Sequence, residues 1–316
     1  MPAEASEEAE IKGGSIMAQT RINDLLIAYP DSFREMSEEK KEVAKVKAKK
    51  KDVAARERKA IQAFREKLEK KAKKSKATRF WINAAWCLIL LVWVAAVLYA
   101  SQYVIAWLLV SVFHITESGM NNNVIQAVFT AIAYVVAVTV TIFVPWFVVK
   151  NKTTREELGI RGLPTWSDLL LAPIGFIVFM FVSTVLIALM QKFLPGINWE
   201  QAQDVGFGNL ISQSDFMLTF IMLVVVAPIA EEVIFRGWLY GKLRSKIPAI
   251  PAIILVSILF GIVHGQWNVG VTVFVMSIAM CTIREITGTI WGGILVHIIK
   301  NGIAFYLLYV NPMMIQ

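Results

Sequence analysis

Residues 216–241 read FMLTFIMLVVVAPIAEEVIFRGWLYG. The stretch exceeds the roughly 20 apolar residues that cross a bilayer as a helix. It nevertheless carries Glu231, Glu232 and Arg236 in its interior. Apolar runs of similar character recur at about 80–112, 124–149, 168–193, 248–266, 269–283 and 288–310. Together they predict an all-α, polytopic transmembrane helix bundle of about seven spans, give or take one. The composition agrees: 56% of the 316 residues are hydrophobic, and the mean hydropathy is +0.57. So many spans leave room for one membrane domain, residues 80–316, and one charged extension, residues 1–79.

The net charge is +8, and most of the excess lies before residue 80. From Asp31 to Ser75 the chain is rich in Lys, Arg, Glu and Ala and lacks Pro and Gly, which predicts helix. Val46, Val53, Ile61, Phe64 and Leu68 form a thin seven-residue stripe, either a weak coiled coil or simply part of a solvated charged helix. The run from Lys70 to Lys76 adjoins the first span and would hold that end in the cytosol. It lacks interleaved aromatics, so no nucleic-acid partner is expected. Basic loops then alternate with loops lacking Lys and Arg. Lys150, Lys152, Arg155 and Arg161 follow the second span, and Lys242, Arg244 and Lys246 follow the fourth. This alternation places the N-terminus inside. The compact chain points to a multi-pass protein of a prokaryotic plasma membrane, with the lipid bilayer as its constant partner.

Ionisable residues inside spans are costly and face a cavity or a partner. Here they gather in the C-terminal third. Glu232 and Arg236 are four apart and can pair on one helix face. Glu231 is rotated about 100° from Glu232. It has no local partner, which suits a general base. Pro228, just upstream, removes a backbone donor and can kink the helix. His264 follows Phe260 by one turn, so the ring could wall the histidine off from lipid. His297 and Asn301 are four apart, with Lys300 near the same side, able to meet a carboxylate or reach a headgroup. Cys87 and Cys281 lie in apolar runs without ligand spacing and read as structural. Arg284 and Glu285 read as a local ion pair at a helix end.

The pattern Glu-Glu-x-x-x-Arg, Phe-x-x-x-His and His-x-x-x-Asn, in order on three spans, resembles the CPBP family. That family includes type II CAAX prenyl proteases and bacteriocin-processing proteins. Here the pattern is Glu231-Glu232 with Arg236, Phe260 with His264, and His297 with Asn301. The resemblance covers roughly residues 165–311 and leaves out the N-terminal extension. It implies an intramembrane, glutamic-type endopeptidase acting on a membrane-associated peptide or protein. It implies that Glu231 activates water, that His264 and His297 line the site and that Asn301 stabilises the oxyanion. Glu232, Arg236 and Phe260 would support them.

A divalent metal stays open, because Glu231, His264 and His297 are plausible zinc ligands, although the helical His-Glu-x-x-His spacing is absent. The preferred reading needs no cofactor. The rival readings are a non-catalytic membrane scaffold or bacteriocin-immunity protein, and a transporter. The paired broken helices of transporters are not apparent. One point of geometry is unresolved at this level. Counted from the ends of the expected spans, His264 falls several residues deeper than Glu231 and His297.

Overall fold

The computed structural model describes residues 30–116, 122–150, 152–199 and 210–311, with isolated positions before and between them. The chain divides into two units, Met1–Arg79 and Phe80–Gln316. In the first, Val46, Val53, Ile61, Phe64 and Leu68 are all exposed. Short-range pairs such as Lys41 with Glu38 and Arg56 with Asp52 decorate the helix surface. The part of the extension before Pro30 falls largely outside the described residues.

Most of the described residues are helical, and none lies in a strand. We number the helices α1 (Pro30–Ser111), α2 (Asn123–Val149), α3 (Arg155–Leu158), α4 (Trp166–Phe193), α5 (Gln213–Arg244), α6 (Ala249–Ile262), α7 (Trp267–Thr287) and α8 (Trp291–Val310). Among the described residues, six are long and apolar enough to cross a membrane: α1, α2, α4, α5, α7 and α8. The remaining apolar helix, α6, has only 14 residues. That is about 21 Å at helical rise, short of a hydrocarbon core of roughly 30 Å. The fifth expected span, 248–266, is therefore a short helix. It forms a hairpin with α7, which packs along it.

The order of burial shows which helix is central. Half of the most apolar window of α5 is buried, against 17% in α4. The outer helices accordingly turn large apolar side chains such as Phe181 and Trp107 outward, as a lipid solvent allows. The core around α5 is built from Phe235, Trp238, Tyr240, Phe260, Met276 and Met280. At the α6–α7 turn the two backbones nearly touch. A Cβ on Gly261 would lie 2.8 Å from the carbonyl oxygen of Gly270, so both positions must be glycine for the hairpin to close.

The basic connection between α2 and α4 is laced to the ends of α5, α7 and α8. Thr154 closes a capping box with Glu157 at the start of α3. Lys242 reaches Glu157 at 2.9 Å and the carbonyl of Lys152 at 3.1 Å. Arg284 donates to the carbonyls of Glu156 and Glu157. Glu285 instead takes Arg244, at 2.9 Å, and the hydroxyl of Tyr240, at 2.6 Å. The two neighbours thus do not pair with each other. Successive helical residues point about 100° apart, and each finds its partner on a different element.

Candidate active site

The central helix α5 is not uniformly α-helical. It widens to π-helix over Ile221–Val226, returns to α over Ala227–Glu232 and widens again over Val233–Leu239. Such π segments cluster at functional sites. The first has a legible cause. In a π turn the carbonyl of residue i bonds the amide of residue i+5, as Met222 does with Ala227. The corresponding partner of Leu223 is Pro228, which has no N–H. The side chain of Asn301 fills the vacancy, donating to the Leu223 carbonyl at 2.8 Å. Pro228 thus leaves the Leu223 carbonyl without a helical donor, and that carbonyl becomes the acceptor that docks α8.

Downstream of this junction the two glutamates take different roles. Glu232 is fully buried and receives the guanidinium of Arg236 at 2.7 Å. Arg236 in turn lies over the ring of Phe260, 4.2 Å from its centroid. The same Glu232 oxygen, Oε1, is 3.1 Å from His297 Nδ1. Gly293 makes room for this carboxylate, since a Cβ there would lie 2.7 Å from Glu232 Oε2. Glu231 keeps some exposure. Its Oε1 accepts a 2.5 Å bond from the hydroxyl of Tyr134. Its Oε2 is buried without a hydrogen-bond partner and lies 3.8 Å from His297 Nε2.

The histidine tautomers follow from their partners. Carboxylates and carbonyls only accept, so His297 donates through Nδ1 to Glu232. His264 donates through Nδ1 to the carbonyl of Phe260 at 2.7 Å. In its neutral form each ring then presents Nε2 as an acceptor. His264 lies two residues past the end of α6, in the turn before α7. The expected depth mismatch is absent, because His264 lines the same cavity as Glu231 and His297. Phe260 is fully buried. It packs edge-on against His264, at 4.8 Å, and His297, at 5.9 Å. Phe260 is therefore the hub of the cluster and is sealed from lipid.

These groups face one cavity of about 680 Å³, whose wall includes Glu231, His264, His297, Lys300 and Asn301. Tyr134 also belongs to this wall. The signal for Tyr134 was faint: a tyrosine in the middle of a span, away from the interfaces that tyrosines favour. Asp168 was also absent from the expected set. It is fully buried and is held by Thr165 and by the Thr289 hydroxyl at 2.6 Å, so it ties α4 to the start of α8. Cys87 and Cys281 are buried and unpaired.

Among the described residues, no three carboxylate, imidazole or thiol groups come close enough to hold one metal ion. Glu231, His264 and His297 share the cavity wall.

The fold and site define a class: a polytopic helical membrane protein with a glutamate, two histidines and an asparagine on the wall of one cavity. Residues 213–303 match the family described as type II CAAX prenyl endopeptidase Rce1-like. The match spans all three motifs and stops short of the α2–α4 connection. The chain is also 25% identical over 176 residues to a protein of Bacillus subtilis (strain 168) named "Putative membrane peptidase YdiL". That alignment covers 56% of this chain and 69% of the relative. No solved structure matches the chain significantly.

Proposed function

We propose that this protein is an intramembrane endopeptidase that hydrolyses peptide bonds of membrane-associated peptides or proteins, with Glu231 as its general base. The observation that carries the reading is the state of that carboxylate. One oxygen is anchored by Tyr134. The other is unpaired and adjoins the Nε2 acceptor of His297. The family match and the relative's name point the same way.

In this mechanism a water molecule sits against Glu231 Oε2, and its second hydrogen points to an imidazole Nε2. Glu231 takes one proton while the water oxygen bonds to the scissile carbonyl carbon. The carbonyl π pair moves onto oxygen. Neither neutral imidazole can donate to that oxyanion through Nε2. Asn301 uses one amide hydrogen on Leu223 and has the other to offer, which suits it to the role. Collapse re-forms the carbonyl and breaks the C–N bond. The proton held by Glu231 passes to the departing amine. Buried Glu232 acts through position, fixing the tautomer of His297.

We further propose that the N-terminus is cytosolic. The cavity would then open toward the opposite side. Its wall includes Trp199 and Gln203 of the α4–α5 connection, at the end of α5 remote from Arg244.

The test is peptide cleavage by the purified protein in detergent, against a library of membrane peptides. Glu231→Ala and His264→Ala should both abolish cleavage, and a chelator should leave the wild type unaffected. Chelator-sensitive cleavage restored by zinc would reassign Glu231, His264 and His297 as ligands. Equal cleavage by wild type and Glu231→Ala would sink the mechanism. Absence of cleavage by a folded wild type would favour a scaffold or immunity role.

A further inference from the structure

Lys300 is the cavity group that the mechanism above does not use. It lies at the centre of α8, a helix of 20 residues, so about 15 Å of helix separates it from either end. That is too far for its ammonium to reach a headgroup. Its helix face is that of His297, three residues earlier, and it lines the same cavity. Among the described residues it makes no hydrogen bond and no ion pair within 4.0 Å. The charged group Arg236 is matched by Glu232. Among the described residues of the cavity wall, Lys300 is the only lysine or arginine and Glu231 the only carboxylate. The two line the same cavity without forming an ion pair within 4.0 Å.

An unpaired cation in the middle of a span is expensive and calls for a function. The charge balance of hydrolysis supplies one. Before reaction the cavity holds the Glu231 carboxylate and the Lys300 ammonium. As Glu231 accepts the water proton, its negative charge vanishes and an equal charge appears on the substrate oxygen. The net charge is zero throughout only if a fixed cation faces both positions. We infer that Lys300 is a further catalytic residue of the proposed hydrolysis, its ammonium stabilising the oxyanion beside the free amide hydrogen of Asn301. The inference rests on the peptidase reading. It assigns the site two oxyanion donors, one neutral and one charged, where the neutral imidazoles can supply none.

The experiment compares wild type, Lys300→Met and Lys300→Arg on one cleaved peptide, alongside a peptide carrying a tetrahedral phosphinate in place of the scissile bond. Lys300→Met should lower kcat by about 100-fold or more with KM within about threefold, as expected for losing one oxyanion donor. Lys300→Arg should recover most of the rate. The phosphinate should bind Lys300→Met about 100-fold more weakly than wild type, and an uncleaved ground-state peptide should bind both alike. Thermal stability should not fall, because the side chain leaves no partner behind.

Wild-type kcat in Lys300→Met overturns the inference alone. So does a loss confined to KM that disappears when the peptide's C-terminus is amidated or its acidic side chains are removed, since Lys300 would then bind a substrate carboxylate. A wild type that neither cleaves nor binds either peptide brings down the peptidase reading, and this inference with it.

Discussion

His297 and Glu232 meet at 3.1 Å through Nδ1 and Oε1 in a fully buried setting, and this contact sets the chemistry of the opposite edge of the ring. With Nδ1 committed as a donor, Nε2 faces Glu231 as an acceptor. Paired glutamates of like sequence thus have unlike duties: one holds the histidine, the other faces the cavity.

The division of labour separates two variants that look alike on paper. Glu232→Gln leaves Arg236 buried without its anion, which should cost about 3–5 kcal/mol. The melting temperature in detergent should drop sharply. Glu231→Gln should melt near the wild type, because its Tyr134 bond can persist, yet lose cleavage entirely. A stable Glu232→Gln protein would mean that the buried pair is not holding the site.

Tyr134→Phe removes one short bond and little volume. We expect a fall in kcat of about 10-fold or more as Glu231 loses its anchor, with a stability change near 1 kcal/mol. Unchanged kcat would show that the carboxylate is oriented by other groups.

The Pro228–Leu223–Asn301 relationship predicts non-additivity. Asn301→Ala should cost about 1–3 kcal/mol by orphaning the Leu223 carbonyl. In a Pro228→Ala background the restored N–H can take that carbonyl, and the cost of Asn301→Ala should shrink. A double-mutant cycle of thermal stabilities reads the coupling directly. Additive effects would separate the proline from the asparagine.

Gly293→Ala tests how tightly the site is packed. The added methyl would lie 2.7 Å from Glu232 Oε2. The carboxylate or α8 must then shift, at about 1–3 kcal/mol. Activity should fall with stability, since His297 moves with Glu232. Wild-type melting and cleavage would show slack that the distances do not suggest.

Sidedness is open to thiol labelling, because both native cysteines are buried. In intact bacterial cells, an impermeant maleimide should label Gln203→Cys directly. Lys246→Cys should react only after permeabilisation. The reverse pattern would invert the proposed topology and place the cavity toward the cytosol.

Much of the molecule was legible before folding was considered. Apolar runs of about 20 residues define a membrane bundle, because the bilayer imposes that length locally. The i,i+4 spacing of Glu232 and Arg236 led directly to a real ion pair, because both ends lie on one helix. The candidate residues Glu231, His264, His297 and Asn301 stood out because polar groups inside apolar runs need a reason. What spacing could not supply was depth and facing. It assigned α6 a full span, whereas the helix stops after 14 residues and His264 lies in the turn beyond it. It paired Arg284 with its neighbour Glu285, whereas each turned to a different helix. It passed over Tyr134, whose role exists only because α2 packs against α5. Sequence sets the angle of a side chain about its own helix axis. Which helices face one another, and at what height, is decided by close packing of the whole bundle, and only there do Glu231 and His297 come within 3.8 Å.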